Sequence, residues 1–171
     1  RIDDASAKGA QRLRLLFVDD EAPIRMVMGK ELQRIGHEVT VVDGGKAAIA
    51  ALSENAFDAA IVDLKMPEVD GWSVIEHIKK SGVDTEVIIS TGHGGFDDAI
   101  RAIRLGAYDF LRKPYKIVEI DSVLNRVAEK RTLCNRAQAL EVELQSVRGK
   151  TVLVGESPGM QRVKKLVERI A

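Results

Sequence analysis

Five residues carry the chemistry this sequence can do: Asp19, Asp20, Asp63, Thr91 and Lys113. Each stands at or just beyond the end of a short apolar run. A lone Asp in that place usually caps a loop, and Pro67 with Asp70-Gly71 supplies the turn signals for one after Asp63. The other acids change the reading. Three carboxylates brought within a few ångströms repel, and one takes up a proton unless a cation neutralises them. An all-oxygen donor set with partial coordination suits Mg²⁺, which keeps waters and is commonly shared with a phosphate. No His or Cys lies near them in sequence to make a zinc site. Lys113 offers a point charge for a phosphoryl oxygen, and the Thr91 hydroxyl a donor. The constellation fits a phosphoryl-transfer site whose nucleophile is a carboxylate.

These residues meet only if their strands end at one edge of an open α/β sheet. The apolar runs Leu13–Val18, Glu38–Val42, Phe57–Val62, Glu86–Ser90 and Tyr108–Leu111 read as five strands. Between them lie helical patterns. Pro23 opens the first, Ile24, Val27, Met28, Leu32 and Ile35 continue it, and Gly36 stops it. The second covers Ala47–Leu52, after an Asp43-Gly44-Gly45 loop. The third covers Gly71–Lys80, with Trp72, Val74, Ile75 and Ile78 facing the sheet, and the fourth Phe96–Leu105, closed by Gly106. A fifth begins near Ile117 and meets no Gly or Pro until Gly149. Strict alternation of strand and helix predicts a five-stranded parallel, doubly wound sheet flanked by five helices.

At 171 residues the chain is one domain with something added. Lys+Arg and Asp+Glu both number 26, so the global basic bias of a nucleic-acid binder is absent. With Cys134 the sole cysteine, no disulfide framework can form, and a reducing cytoplasm is expected. No apolar run is long enough to span a membrane. The start, Arg1 to Gln11, is small, polar and aperiodic, a disordered leader, and the whole reads as a piece of a longer protein. In the last helix Ile117, Ile120, Leu124 and Val127 form a face for the sheet. Beyond Arg131 a different seam takes over, Leu133, Ala137, Leu140, Leu144 and Val147, stepping by 4, 3, 4 and 3 as heptads do. A dimeric coiled coil is preferred to a helix docked on a further domain. His93 lies in Thr91-Gly-His-Gly-Gly, which lacks the lysine and spacing of a nucleotide-binding loop, so it reads as a solvent-facing loop residue.

The combined pattern resembles the receiver domain of two-component response regulators: Leu16-Phe-Val-Asp-Asp-Glu, Val62-Asp63-Leu-Lys-Met-Pro, Ser90-Thr91-Gly-His and Lys113-Pro114. The gaps match too, 43 residues from Asp20 to Asp63, 28 from Asp63 to Thr91 and 50 from Asp63 to Lys113. The resemblance implies a flavodoxin-like fold in which Asp63 accepts a phosphoryl group from a histidine kinase. It also implies Mg²⁺ held directly by Asp20, Asp63 and the Lys65 carbonyl, and through water by Asp19. Thr91 and Phe110 would form a switch pair, although plain core packing also explains Phe110. The tail, Thr151 to Met160 (Thr-Val-Leu-Val-Gly-Glu-Ser-Pro-Gly-Met), is similar to the opening of the central AAA+ ATPase domain of sigma-54-dependent transcription activators. The implied organisation is a leader at 1–12, a receiver at 13–130, a coiled-coil linker at 131–149 and an ATPase stub at 150–171. Homodimerisation, RNA polymerase with sigma-54, and DNA follow as expectations for the longer protein. The stretch itself has no nucleotide-binding motif with which to bind or hydrolyse ATP. Other outputs, a phosphorelay intermediate or a signalling enzyme, remain open at this point. An aspartyl hydrolase of the haloacid type is disfavoured, because its Asp-x-Asp pair is Asp63-Leu64-Lys65 here.

Overall fold

In the computed structural model, residues 11–92 and 95–150 are described. The leader to residue 10, His93 and the tail from Thr151 lie outside the described residues, as do the side chains of Phe96 and of 146–150, Val147 among them. The chain divides into two units, Arg1–Glu129 and Lys130–Ala171.

The elements alternate throughout: β1 (Arg14–Val18), α1 (Ala22–Arg34), β2 (Glu38–Val42), α2 (Gly45–Glu54), β3 (Ala59–Asp63), α3 (Gly71–Ser81), β4 (Glu86–Thr91), α4 (Phe96–Arg104), β5 (Asp109–Arg112) and α5 (Ile117–Lys150). All pairings are parallel, in the order β2-β1-β3-β4-β5. The chain leaves β1 for β2 on one side and returns to β3 on the other. The β1/β3 boundary is therefore the switch point where such sheets open a crevice at their strands' carboxyl ends. Asp19 and Asp20 directly follow β1, and Asp63 ends β3.

Strand alternation sorts the core into two layers. Leu16, Val18, Ala60, Val62, Val87 and Ile89 pack with α2, α3 and α4. Leu15, Phe17, Ala59, Ile61 and Ile88 pack with α1 and with Ile120, Val123, Leu124 and Val127 of α5. Each fully buried Leu, Ile or Phe contributes about 1.5–3 kcal/mol, which anchors the sheet that carries the site.

Several boundaries differ from the periodicity, each for a local reason. Leu13 is not in β1, because its N–H donates to His37 Nδ1 at 3.3 Å and the ladder starts with Arg14 opposite Glu38. Phe57 and Asp58 precede β3, the Asp58 carboxylate turning aside to accept the Arg14 N–H at 2.7 Å. Thr91 joins β4 by pairing with Arg112, and the β4–β5 register begins with Ile88 opposite Asp109, so β5 starts one residue past Tyr108. α2 starts at Gly45, inside the expected loop, where a Cβ would lie 2.4 Å from the Val69 carbonyl oxygen.

In the second unit the described helical residues leave Leu133, Leu140, Val142 and Leu144 exposed. Among the described residues no helix is long and apolar enough to cross a membrane.

Candidate functional site

The buried carboxyls of Asp19 and Asp63 and the exposed one of Asp20 each present an oxygen, all within 4.8 Å of one another. A lysine offsets the repulsion expected among them. Lys113 Nζ lies 2.7 Å from Asp19 Oδ2 and 2.7 Å from Asp63 Oδ2, with Glu21 Oε1 at 4.0 Å. Burial alone would lower the Lys113 pKa, but its hydrogen bonds to Asp19 and Asp63 and their charges outweigh that and hold it above the ordinary lysine range. The ammonium is therefore present at neutral pH, and its stabilising contribution is lost only as the solution passes well into the alkaline range.

The remaining carboxylate oxygens are held by the backbone. Asp19 Oδ1 accepts the Glu21 N–H at 2.9 Å, and Asp63 Oδ1 accepts the Lys65 N–H at 3.2 Å. Arg25, one turn into α1, donates to the Asp19 carbonyl at 2.8 Å. Asp20 enters no ion pair among the described residues. Three carboxylates and no nitrogen or sulfur ligand make a donor set that fits a hard, oxygen-seeking divalent cation.

The loop after Asp63 is closed tightly. The Leu64 N–H donates to the Ser90 carbonyl and the Gly71 N–H to the Leu64 carbonyl, both at 3.1 Å. A Cβ at Gly71 would lie 2.3 Å from the Asp63 carbonyl oxygen and 2.9 Å from Leu64 Cα, so the turn that aims Asp63 requires glycine there. Asp70 then caps α3, accepting from the Ser73 N–H at 2.9 Å and from its hydroxyl at 2.8 Å.

Thr91 ends β4 fully buried and lines a cleft of about 470 Å³ with Lys65, Met66, Trp72 and Asp98. Phe110 pairs with Ile89, two residues before Thr91, and packs partly buried on the α4-side core, so the two expected switch residues share a face. The Arg101 guanidinium stacks on Trp72, 4.3 Å from the ring centre, linking α4 to α3.

Sequence reasoning missed Arg25 and the residue pair under Lys113. Tyr115, half-buried just after the cis Lys113–Pro114 bond, accepts a hydrogen bond from Ser90 Oγ at 3.1 Å. Burial pushes the Tyr115 pKa up, and the Ser90 bond opposes this in part. The only signal was a tyrosine directly after Lys-Pro.

The family model for the response regulator receiver domain matches residues 15–125, the stretch that holds all five residues. The chain belongs to that family. It is 30% identical over 157 residues to the C4-dicarboxylate transport transcriptional regulatory protein DctD of Rhizobium meliloti, a match covering 92% of this chain and 34% of that protein. Over 161 residues it is 31% identical to the DNA-binding transcriptional regulator NtrC of Escherichia coli K12, covering 94% and 34%. Among solved structures, NtrX from Brucella abortus matches with a TM-score of 0.70 and 30% identity, covering 93% of this chain and 34% of that one. A response regulator receiver domain protein from Clostridium thermocellum matches with a TM-score of 0.67 and 32% identity, over 71% and 98%. The chain thus spans about a third of the length of the curated relatives it matches. The receiver fold occupies the first unit, and its acidic crevice is the place where receivers hold Mg²⁺.

Proposed function

We propose that this receiver accepts a phosphoryl group on Asp63 from a histidine kinase and thereby controls a transcription activator of the sigma-54-dependent kind. The observation that carries the reading is the Asp63 carboxylate, held by the Lys65 N–H and Lys113 beside Asp19 and Asp20. Asp63 Oδ attacks phosphorus, the P–N bond to the donor imidazole breaks, and the imidazole leaves with the electron pair and takes a proton from solvent. Asp63 becomes an acyl phosphate. Lys113 transfers its charge from Asp63 Oδ2 to a phosphoryl oxygen, and the Thr91 hydroxyl donates to another. Mg²⁺, when bound by Asp20, Asp63 and the Lys65 carbonyl with Asp19 behind a water, supplies charge neutralisation for the transferring group. Phe110 follows Thr91 and carries the change to the α4 surface.

In mass spectrometry, the chain incubated with a small phosphodonor and Mg²⁺ is expected to gain one phosphoryl group. Asp20→Ala is expected to weaken Mg²⁺ binding about tenfold or more. Calorimetry showing unchanged Mg²⁺ affinity in that variant would remove Asp20 from the site.

The organisation that supports control of an output is a receiver at 13–130, a coiled-coil linker at 131–149 and the start of an ATPase domain at 150–171. Relatives named as transcriptional regulators favour this output over a phosphorelay or signalling enzyme. The seam Leu133, Ala137, Leu140, Leu144 and Val147 joins two copies, and Leu133, Leu140 and Leu144 are exposed in the single chain. Each Leu buried in the partner would contribute roughly 1.5–3 kcal/mol, twice over by symmetry. Leu140→Asp is therefore expected to give a folded monomer in sedimentation where the natural sequence gives a dimer. A monomer for both would sink the linker proposal and leave the receiver intact.

A further inference from the structure

Lys113 reaches the two buried carboxylates from the start of the β5–α5 loop, and β4 ties that loop down on both sides of its turn. On one side the Lys113 N–H donates to the Thr91 carbonyl at 2.7 Å. On the other, Ser90 Oγ donates to Tyr115 Oη at 3.1 Å. Ser90 is 1% exposed and shares its face with Ile88, which belongs with Tyr115 to the α1- and α5-side core. Ser90 is also the register partner of Asp63, and its carbonyl accepts the Leu64 N–H at 3.1 Å. One residue of β4 thus contacts both the segment carrying Asp63 and the segment carrying Lys113.

Core packing does not require two hydroxyls here. Alanine and phenylalanine would fill the same space with no polar group to desolvate. We propose that Ser90 and Tyr115 are positioning residues for Lys113: their hydrogen bond fixes the loop two residues beyond Lys113 so that its ammonium rests on both Asp19 and Asp63. This rests on reading those residues as one phosphoryl-transfer site. A lysine held there offsets the negative charge that a divalent cation would otherwise meet. Loosening it tightens metal binding while slowing phosphoryl transfer, whereas general damage to the fold weakens both.

The test uses Tyr115→Phe, Ser90→Ala, the double variant, Ser90→Thr, and Tyr115→Phe combined with Lys113→Met. Mg²⁺ binding is measured by calorimetry without phosphodonor, and labelling by a small phosphodonor is followed separately. Tyr115→Phe and Ser90→Ala are each expected to tighten Mg²⁺ binding about threefold and slow labelling about threefold, the change that one neutral hydrogen bond corresponds to. The double variant should go no further than either single one, and Ser90→Thr, which keeps a hydroxyl, should reverse the shift seen with alanine. In the Lys113→Met background Tyr115→Phe should change nothing. Mg²⁺ affinity that is unchanged or weaker in Tyr115→Phe, or a shift that persists without Lys113, would overturn the proposal. If the Mg²⁺ shifts occur but the natural chain takes up no phosphoryl group, the positioning role stands and the phosphoryl-transfer reading falls.

Discussion

With Asp63→Asn, incubation with a small phosphodonor and Mg²⁺ is expected to yield no phosphorylated chain. The amide is neutral and its oxygen a poor nucleophile, so the bond to phosphorus does not form. The fold should survive the change. Asparagine has the shape of aspartate, and its amide oxygen can still accept the Lys65 N–H. Lys113 keeps Asp19 at 2.7 Å. A cost of about 2 kcal/mol is expected, the loss of one charge-assisted hydrogen bond. Thermal unfolding run beside the labelling separates the two effects. Full labelling of a folded Asp63→Asn chain would remove Asp63 from its role.

Lys113→Met is expected to do two opposed things. Removing one partner of a buried charge pair strands the others, so the metal-free protein should lose about 3 kcal/mol, the low end of the usual range because backbone N–H groups still hold Asp19 and Asp63. Mg²⁺ then meets three carboxylates with no competing ammonium, and should bind about tenfold more tightly or better. Thermal unfolding with and without Mg²⁺ reads both at once: a lower midpoint without metal, and a larger rise on adding it than in the natural chain. Labelling should nevertheless fall by about a hundredfold, since the phosphoryl oxygens lose their charge partner. A variant with natural metal response and natural labelling would mean that Lys113 only braces the loop.

Much of this was legible in the sequence because the sheet is buried on both faces. Runs such as Ala59–Val62 have no competing interpretation once helices of ordinary length separate them. The strand ends then locate Asp19, Asp63, Thr91 and Lys113 at one edge. What stayed hidden depends on contacts distant in sequence. No period reveals that Lys113 would rest on Asp19 and Asp63 before any phosphate arrives, because that is a matter of side-chain reach across 94 and 50 residues. Gly45 read as loop because glycine is a poor helix former, yet close approach to the Val69 carbonyl favours it at the first position of α2. Ser90 stood out in the sequence only as a member of an apolar strand, and the partner of its hydroxyl, Tyr115, lies 25 residues away. The heptad seam was visible as spacing, but spacing cannot say what covers it.

The central claim is that the phosphoryl group resides on Asp63. Reduction of the phosphodonor-treated chain with borohydride tests it directly: hydride adds at the carbonyl carbon of an acyl phosphate, phosphate leaves, and a second hydride completes reduction to the alcohol. Peptide mass spectrometry is expected to find homoserine at position 63 alone, and only when both phosphodonor and Mg²⁺ were present. Homoserine at position 19 or 20 instead, or a phosphorylated chain with none at 63, would contradict it.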